Sequence, residues 1–221
     1  MTRIEKIELF LLYLLLVAGG FWHLLGWFQS LMRWLAGPLL MVLALLLWWK
    51  LYKTNSKRIV RVFLWGVVVL VGGFLFEAIG VKTGWIFGDY AYGDVLQPQI
   101  RGVPVAIGFA WLGIQISALG MAQWLVRKSV SVYLLAVVTA FLMVLFDILM
   151  EPSAIYLGYW TWSGGHPPLQ NYIGWFSIGL IFSMLGARFR LFNKTLPPFV
   201  RHAYIAQSIY FFLILIKTVM V

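Results

Sequence analysis

The stretch VYLLAVVTAFLMVLFDILMEPSAIYLGYWTW runs from Val132 to Trp162, and residues 132–146 carry no charge. A hydrocarbon core of about 30 Å is crossed by roughly 20 apolar residues in a helix, and the segment at about 130–150 supplies them. Yet Asp147 and Glu151 stand at its end. They are spaced i, i+4, which places both carboxyls on one helix face within reach of each other. An Asp at mid-bilayer costs on the order of 2.5–3.5 kcal/mol on insertion scales, so an acid in such a helix reads first as part of a functional site.

The whole chain has the same character. Hydrophobic residues make up 62% of its 221 residues and charged residues 11%, more apolar surface than a water-soluble domain of this size can bury. Seven segments qualify as spans, at about 7–28, 34–52, 59–80, 104–126, 130–150, 172–189 and 199–219. The expectation is an all-α, polytopic membrane helix bundle, with residues 1–221 forming one integral membrane domain. The first segment is not followed by a small-residue cleavage site and continues through GGFWHLLGW, so it is expected to be a retained helix rather than a signal peptide.

A net charge of +10 in a soluble protein would suggest nucleic acid, but here Lys and Arg sit in short clusters between apolar runs, the pattern of topology signals. With the N-terminus in the cytoplasm, thirteen basic residues, Arg127 and Lys128 among them, fall inside, and only Arg33, Lys82, Arg101 and Lys217 fall outside. The bias predicts an N-in, C-out, multi-pass protein of the cytoplasmic membrane, with lipid rather than nucleic acid around it. Two long loops, about 81–103 and 151–171, then lie on the outer face.

Of the seven acids, Glu5 and Glu8 precede the first span; Glu77, Asp89, Asp94, Asp147 and Glu151 all fall at the outer face. A structural explanation exists for each taken singly: an acid near a helix end snorkels to water or pairs with a cation, and Arg101 is on the correct side. Three helix-borne acids at one depth on two helices favour a shared site. An internal echo supports it: Glu77 is followed seven residues later by Gly84 and then Trp85, and Glu151 by Gly158 and then Tyr159. Each outward helix is thus followed by an aromatic, glycine-rich loop and a returning helix, as in a parallel repeat of helices 3–4 and 5–6.

Several chemistries lack their residues. There is no cysteine, and His23, His166 and His202 are isolated, without the paired spacings that hold zinc or di-iron. No glycine-rich nucleotide fingerprint and no aspartate-rich diphosphate motif appears, so no cofactor is expected. What remains is carboxylic acids and aromatic rings at the edge of an apolar medium. Burial and a second carboxylate favour the neutral, proton-bearing form of a carboxyl group, which can then act as a general acid. The π-faces of Trp85, Tyr90, Tyr92, Tyr156, Tyr159, Trp160, Trp162 and Trp175 suit a transient cation, although aromatic belts are common in any membrane protein. Acid plus π-faces is what alkene protonation requires.

Two stretches, FEAIGVKTGWIFGDYAYGDVLQPQIRGVPVAIGFAW and FDILMEPSAIYLGYWTWSGGHPPLQNYIGWF, resemble the signature regions of membrane carotenoid biosynthesis proteins of the CruF type, carotenoid 1',2'-hydratases. The matching features are Glu77, the TGWIFGDYAY segment from Thr83 and the GVP at Gly102, then Asp147, EPSA at Glu151, GYWTW from Gly158, Pro168, Asn171 and Trp175. The resemblance covers roughly residues 77–176. It implies cofactor-independent hydration of the terminal C1'=C2' double bond of an acyclic carotenoid end, such as one of the γ-carotene or bisanhydrobacterioruberin type, to a tertiary alcohol. It further implies a carotenoid and water as substrates, with other carotenoid biosynthesis enzymes as partners.

On that basis Asp147, Glu151 and Glu77 are the expected catalytic acids and base. Trp85, Asp89, Tyr90, Tyr92, Arg101, Tyr159, Trp160, Trp162, Asn171 and Trp175 are the expected substrate-site residues, with Asn171 orienting water and Arg101 holding one carboxylate ionised. A membrane lycopene-cyclase-type isomerase would use the same protonation and quench the cation internally. A proton-coupled transporter would need polar groups reaching the inner face, where the helices here are apolar. A retinal protein is suggested only by Lys217 and lacks a mid-depth Asp counterion on the third helix.

Overall fold

A computed structural model describes residues 2–126 and 130–220, so Arg127 and Lys128 of the charge-bias argument lie outside the described residues. Seven helices account for most of them: α1 (Arg3–Leu25), α2 (Gln29–Thr54), α3 (Ile59–Thr83), α4 (Val105–Leu125), α5 (Val132–Tyr156), α6 (Leu169–Arg188) and α7 (Pro198–Met220). Six of them are long and apolar enough to cross a bilayer. The exception is α6, diluted by Gln170, Asn171, Ser177 and Ser183. The protein is an all-α polytopic membrane bundle.

Local sequence sets several helix ends. Thr2 and Glu5 form a reciprocal capping box at the start of α1, with backbone-to-side-chain bonds of 2.7 and 3.2 Å, which satisfies amides the first turn leaves free. Ser131 caps α5 by accepting from the Leu134 amide at 3.1 Å. At the other end of α3, Gly84 takes a left-handed conformation with φ 68°, which glycine adopts without the Cβ penalty.

Helix α4 is the axis of the bundle. It packs against α2, α3, α5 and α7, while α1 lies on α7 and α6 on α5. Trp111, Leu112, Ile116 and Leu119 are buried, as expected for a helix apolar on every side. The α3–α4 approach depends on small residues: a Cβ at Gly108 would lie 2.6 Å from the Leu70 carbonyl oxygen. Helices in lipid gain association energy from such close packing. On the periphery, Phe10, Leu14, Val42, Phe63, Val71, Phe141 and Ile181 are exposed, a surface suited to acyl chains rather than water.

Two boundaries differ from the sequence reading. Helix α5 does not stop at residue 150 but continues through Pro152 to Tyr156, so Glu151 belongs to the helix and the connection to α6 shrinks to residues 157–168. Proline removes one backbone donor, but its fixed φ is helical, and membrane helices tolerate it where neighbours compensate. Helix α6 likewise begins at Leu169, placing Asn171 in its first turn.

The connections that follow α3 and α5 meet in a small sheet. Strand β1 (Tyr90–Tyr92) pairs antiparallel with β4 (Trp160–Trp162), in the register Tyr90 to Trp162, Ala91 to Thr161 and Tyr92 to Trp160. A second hairpin joins β2 (Gln99–Ile100) to β3 (Val103–Pro104). The β1–β4 ladder is fastened by Ser163 N–H to Asp89 C=O at 3.0 Å and Gly93 N–H to Tyr159 C=O at 2.9 Å. Its centre, Ala91 opposite Thr161, is a local two-fold point relating the α3 connection to the α5 connection.

Candidate active site

Side chains alternate across a strand, and in β1 and β4 this sends Ala91 and Thr161 outward while Tyr90, Tyr92, Trp160 and Trp162 turn inward. Beneath them the echo becomes geometry. Tyr90 and Tyr92 donate their hydroxyls to Glu77 Oε2, the latter at 2.7 Å. Trp160 and Trp162 donate their indole N–H groups to Glu151 Oε2 at 3.0 and 2.9 Å. Each glutamate is held by alternate aromatics of the strand that follows its own helix, and the two strands pair.

The two halves differ four residues before each glutamate. Position 73 is glycine, where a Cβ would meet the Trp111 side chain at 2.6 Å; this vacancy lets Trp111 donate to Glu77 Oε1 at 3.0 Å. Glu77 therefore has partners on both oxygens. The corresponding position before Glu151 is Asp147, fully buried. Asn171 donates to Asp147 Oδ2 at 2.7 Å, and Asp147 Oδ1 has no partner among the described residues. Both indoles converge on one oxygen of Glu151, leaving Oε1 without a protein partner among the described residues.

These groups enclose a cavity of about 70 Å³. Glu77, Glu151, Asn171, Tyr90, Tyr92, Tyr159, Trp160, Trp162 and Trp175 of the expected set line it. Apolar walls come from Leu40 on α2, Ile107 and Ile114 on α4, Met150 on α5 and Phe211 on α7. A cavity of about 150 Å³ accepts benzene and one water takes about 30 Å³. The space as it stands therefore suits a few waters, and a group of benzene size or larger enters only if the walls part.

The remaining expected residues stand elsewhere. Asp147 lies behind Asn171 and does not line the cavity. Trp85 is 81% exposed. Asp89 sits at the Gly84 turn, where a Cβ would meet its carboxylate at 2.2 Å. Arg101 corrects the sequence reading: it is exposed at the β2–β3 turn with φ 53°, and it forms no ion pair with the acids. Among the described residues the side-chain ion pair is Lys50 with Glu8, at 2.7 Å. A cation on a two-residue hairpin turn faces water, and hydrogen-bond donors rather than guanidinium meet the carboxyls.

Sequence reasoning missed Trp111, whose ring stacks on Trp175 with centroids 4.3 Å apart. One of twelve tryptophans, it had no spacing to distinguish it. Outside the spans, burial pushes the Tyr159 phenol up to about 12. Burial, and next the adjoining Glu77, raise Tyr90 and Tyr92 as well. The phenols thus remain protonated donors. The assembly sets two carboxyl groups on one cavity lined by aromatic residues.

The chain is similar to bisanhydrobacterioruberin hydratase of Haloarcula japonica, 29% identical over 116 residues, a match covering 49% of this chain and 39% of that protein. It therefore spans well under half of that relative's length. No solved structure matches. The model of the family described as carotenoid biosynthesis protein matches residues 35–221, and the chain belongs to that family.

Proposed function

We propose that this protein hydrates the terminal double bond of an acyclic carotenoid end, in the cytoplasmic membrane and without a cofactor. The observation that carries the reading is the convergence of Glu77 and Glu151, from two helices, on one cavity under four aromatic side chains. A polyene is soluble only in the apolar layer, and the acids stand at the outer end of that layer.

Glu151 is the proton donor. Its Oε2 is fixed by two indoles while Oε1 is free, so a proton on Oε1 can pass to C2' of the alkene. The π electrons form the new C–H bond and C1' becomes a tertiary cation. Tyr90, Trp111, Trp162 and Trp175 line the cavity around it, and aromatic rings so placed favour cationic charge. A water held by Asn171 forms the C1'–O bond and releases its proton to Glu77. Return of that proton to Glu151 closes the cycle with no change in oxidation state. Asp147, one helical turn from Glu151, supports the return as a positioning residue through Asn171.

The similarity to a Haloarcula japonica protein named as a hydratase of bisanhydrobacterioruberin supports this reaction class. The test is pigment analysis after expression in a host that accumulates an acyclic-ended carotene: a product heavier by one water supports hydration, and an isomer of unchanged mass would move the assignment to a cyclase.

A further inference from the structure

At the opposite face of the bundle, Arg61 at the start of α3 and Arg188, Phe189 and Arg190 at the end of α6 line one recess of about 400 Å³. Its surroundings are fixed by side chains that bind the α6–α7 connection. Arg58 donates to the Arg190 carbonyl at 3.0 Å, Asn55 to the Leu191 carbonyl at 3.2 Å, and Gln123 to the Phe192 carbonyl at 3.3 Å. Arg190 itself has φ 59°, a left-handed conformation uncommon for a residue with a Cβ. This left-handed residue closes α6, with the Leu191 amide donating to the Gly186 carbonyl at 3.0 Å, as in a helix C-terminal cap, and so sets where the Arg190 side chain leaves the backbone.

Among the described residues no carboxylate pairs with this cluster. Five of the seven acids lie at the other face; Glu5 is engaged in the α1 capping box and Glu8 with Lys50. General topology signalling needs only a count of basic residues on one side, not three guanidiniums on one recess. Like charges so gathered repel, and an external anion offsets the cost. Guanidinium groups match phosphate oxygens with paired donors, and basic pockets between helices at the cytoplasmic leaflet hold anionic headgroups. We propose that Arg61, Arg188 and Arg190 form a binding site for a phosphate group, supplied by the headgroup of an anionic phospholipid of the leaflet they face. The apolar ring of Phe189 beside them would meet the upper acyl chain.

The proposal is independent of the reaction proposed above. Its test is native mass spectrometry of the purified full chain released from vesicles of phosphatidylcholine with and without phosphatidylglycerol. An R61Q/R188Q/R190Q variant is compared with a K6Q/K53Q/K57Q variant that loses equal charge on the same face. Paired guanidinium donors hold phosphate oxygens in a way that separate ammonium groups do not, so phosphatidylglycerol retention should fall by roughly tenfold or more in the arginine variant and stay near wild type in the lysine variant. Equal losses in both would overturn the site. Arginine-dependent binding of inorganic phosphate without lipid retention would transfer the site to a free anion and remove the lipid. Absence of both would refute it. Unchanged thermal unfolding of the arginine variant guards against misfolding as the cause.

Discussion

Tyr92 and Trp160 face each other across the β1–β4 register with ring centroids 5.9 Å apart, yet they donate to different glutamates, Glu77 and Glu151. The strand pair is therefore the element that sets both carboxyls against one cavity, and disturbing either strand disturbs both acids.

The two acids of α5 should separate by role. Glu151→Gln keeps the shape and the indole bonds' acceptor but removes the acid, and a general acid contributes about 10²–10⁴-fold. Conversion of carotene to product should fall by that order while the protein still inserts into membranes. Asp147→Asn keeps an acceptor for the Asn171 amide but removes the buried carboxyl beside Glu151, and should also impair conversion. Full turnover in both variants, assayed by pigment extraction, would contradict the assignment.

Removing the indole donors should act through Glu151. In W160F/W162F the rings remain while two hydrogen bonds, each worth roughly 1 kcal/mol net, are lost. Turnover should drop by about tenfold or more. Substrate saturation should change little, since the apolar walls from Leu40, Ile107 and Phe211 are untouched. Initial rates in reconstituted vesicles across carotene content separate these effects.

The α3–α4 contact supplies a test of stability through packing. A methyl at Gly108 would press on the Leu70 carbonyl at 2.6 Å, and overpacking of this kind costs about 1–3 kcal/mol. Gly108→Ala should lower the thermal unfolding midpoint in detergent. Ala at Gly164, which has no neighbour within 4 Å of a built Cβ, should leave the midpoint near wild type.

An alkaline titration tests the buried phenols. The folded-state pKa of Tyr159 is raised to about 12 and those of Tyr90 and Tyr92 are raised too, so each phenol keeps its proton as pH rises through its ordinary value of 10. Tyrosinate absorbance between about pH 9 and 11 should therefore be the same in wild type and in Tyr159→Phe. A smaller signal in the variant would mean that Tyr159 is open to water.

Much of this was legible because membrane insertion writes itself into composition. Apolar runs marked all seven helices, and a carboxyl in such a run stood out at Glu77, Asp147 and Glu151. The glycine–aromatic echo after Glu77 and Glu151 anticipated their matched surroundings. It did not reveal that β1 and β4 pair with each other, because long-range pairing depends on where two distant turns meet. Arg101 misled, since proximity in topology does not aim a side chain. Trp111 was hidden because its role depends on the absence of a side chain at Gly73, a feature of packing that no spacing along the chain expresses.

In the proposed reaction water becomes the hydroxyl of the product after Glu151 has given its proton to the alkene. The direct measurement is mass spectrometry of the pigment made from an acyclic-ended carotene in water enriched in heavy oxygen, with wild type and Glu151→Gln side by side. The expected result is a hydrated carotenoid carrying the heavy isotope from the wild type and unchanged carotene from the variant. A cyclised isomer without added oxygen, or equal hydration by the variant, would contradict it.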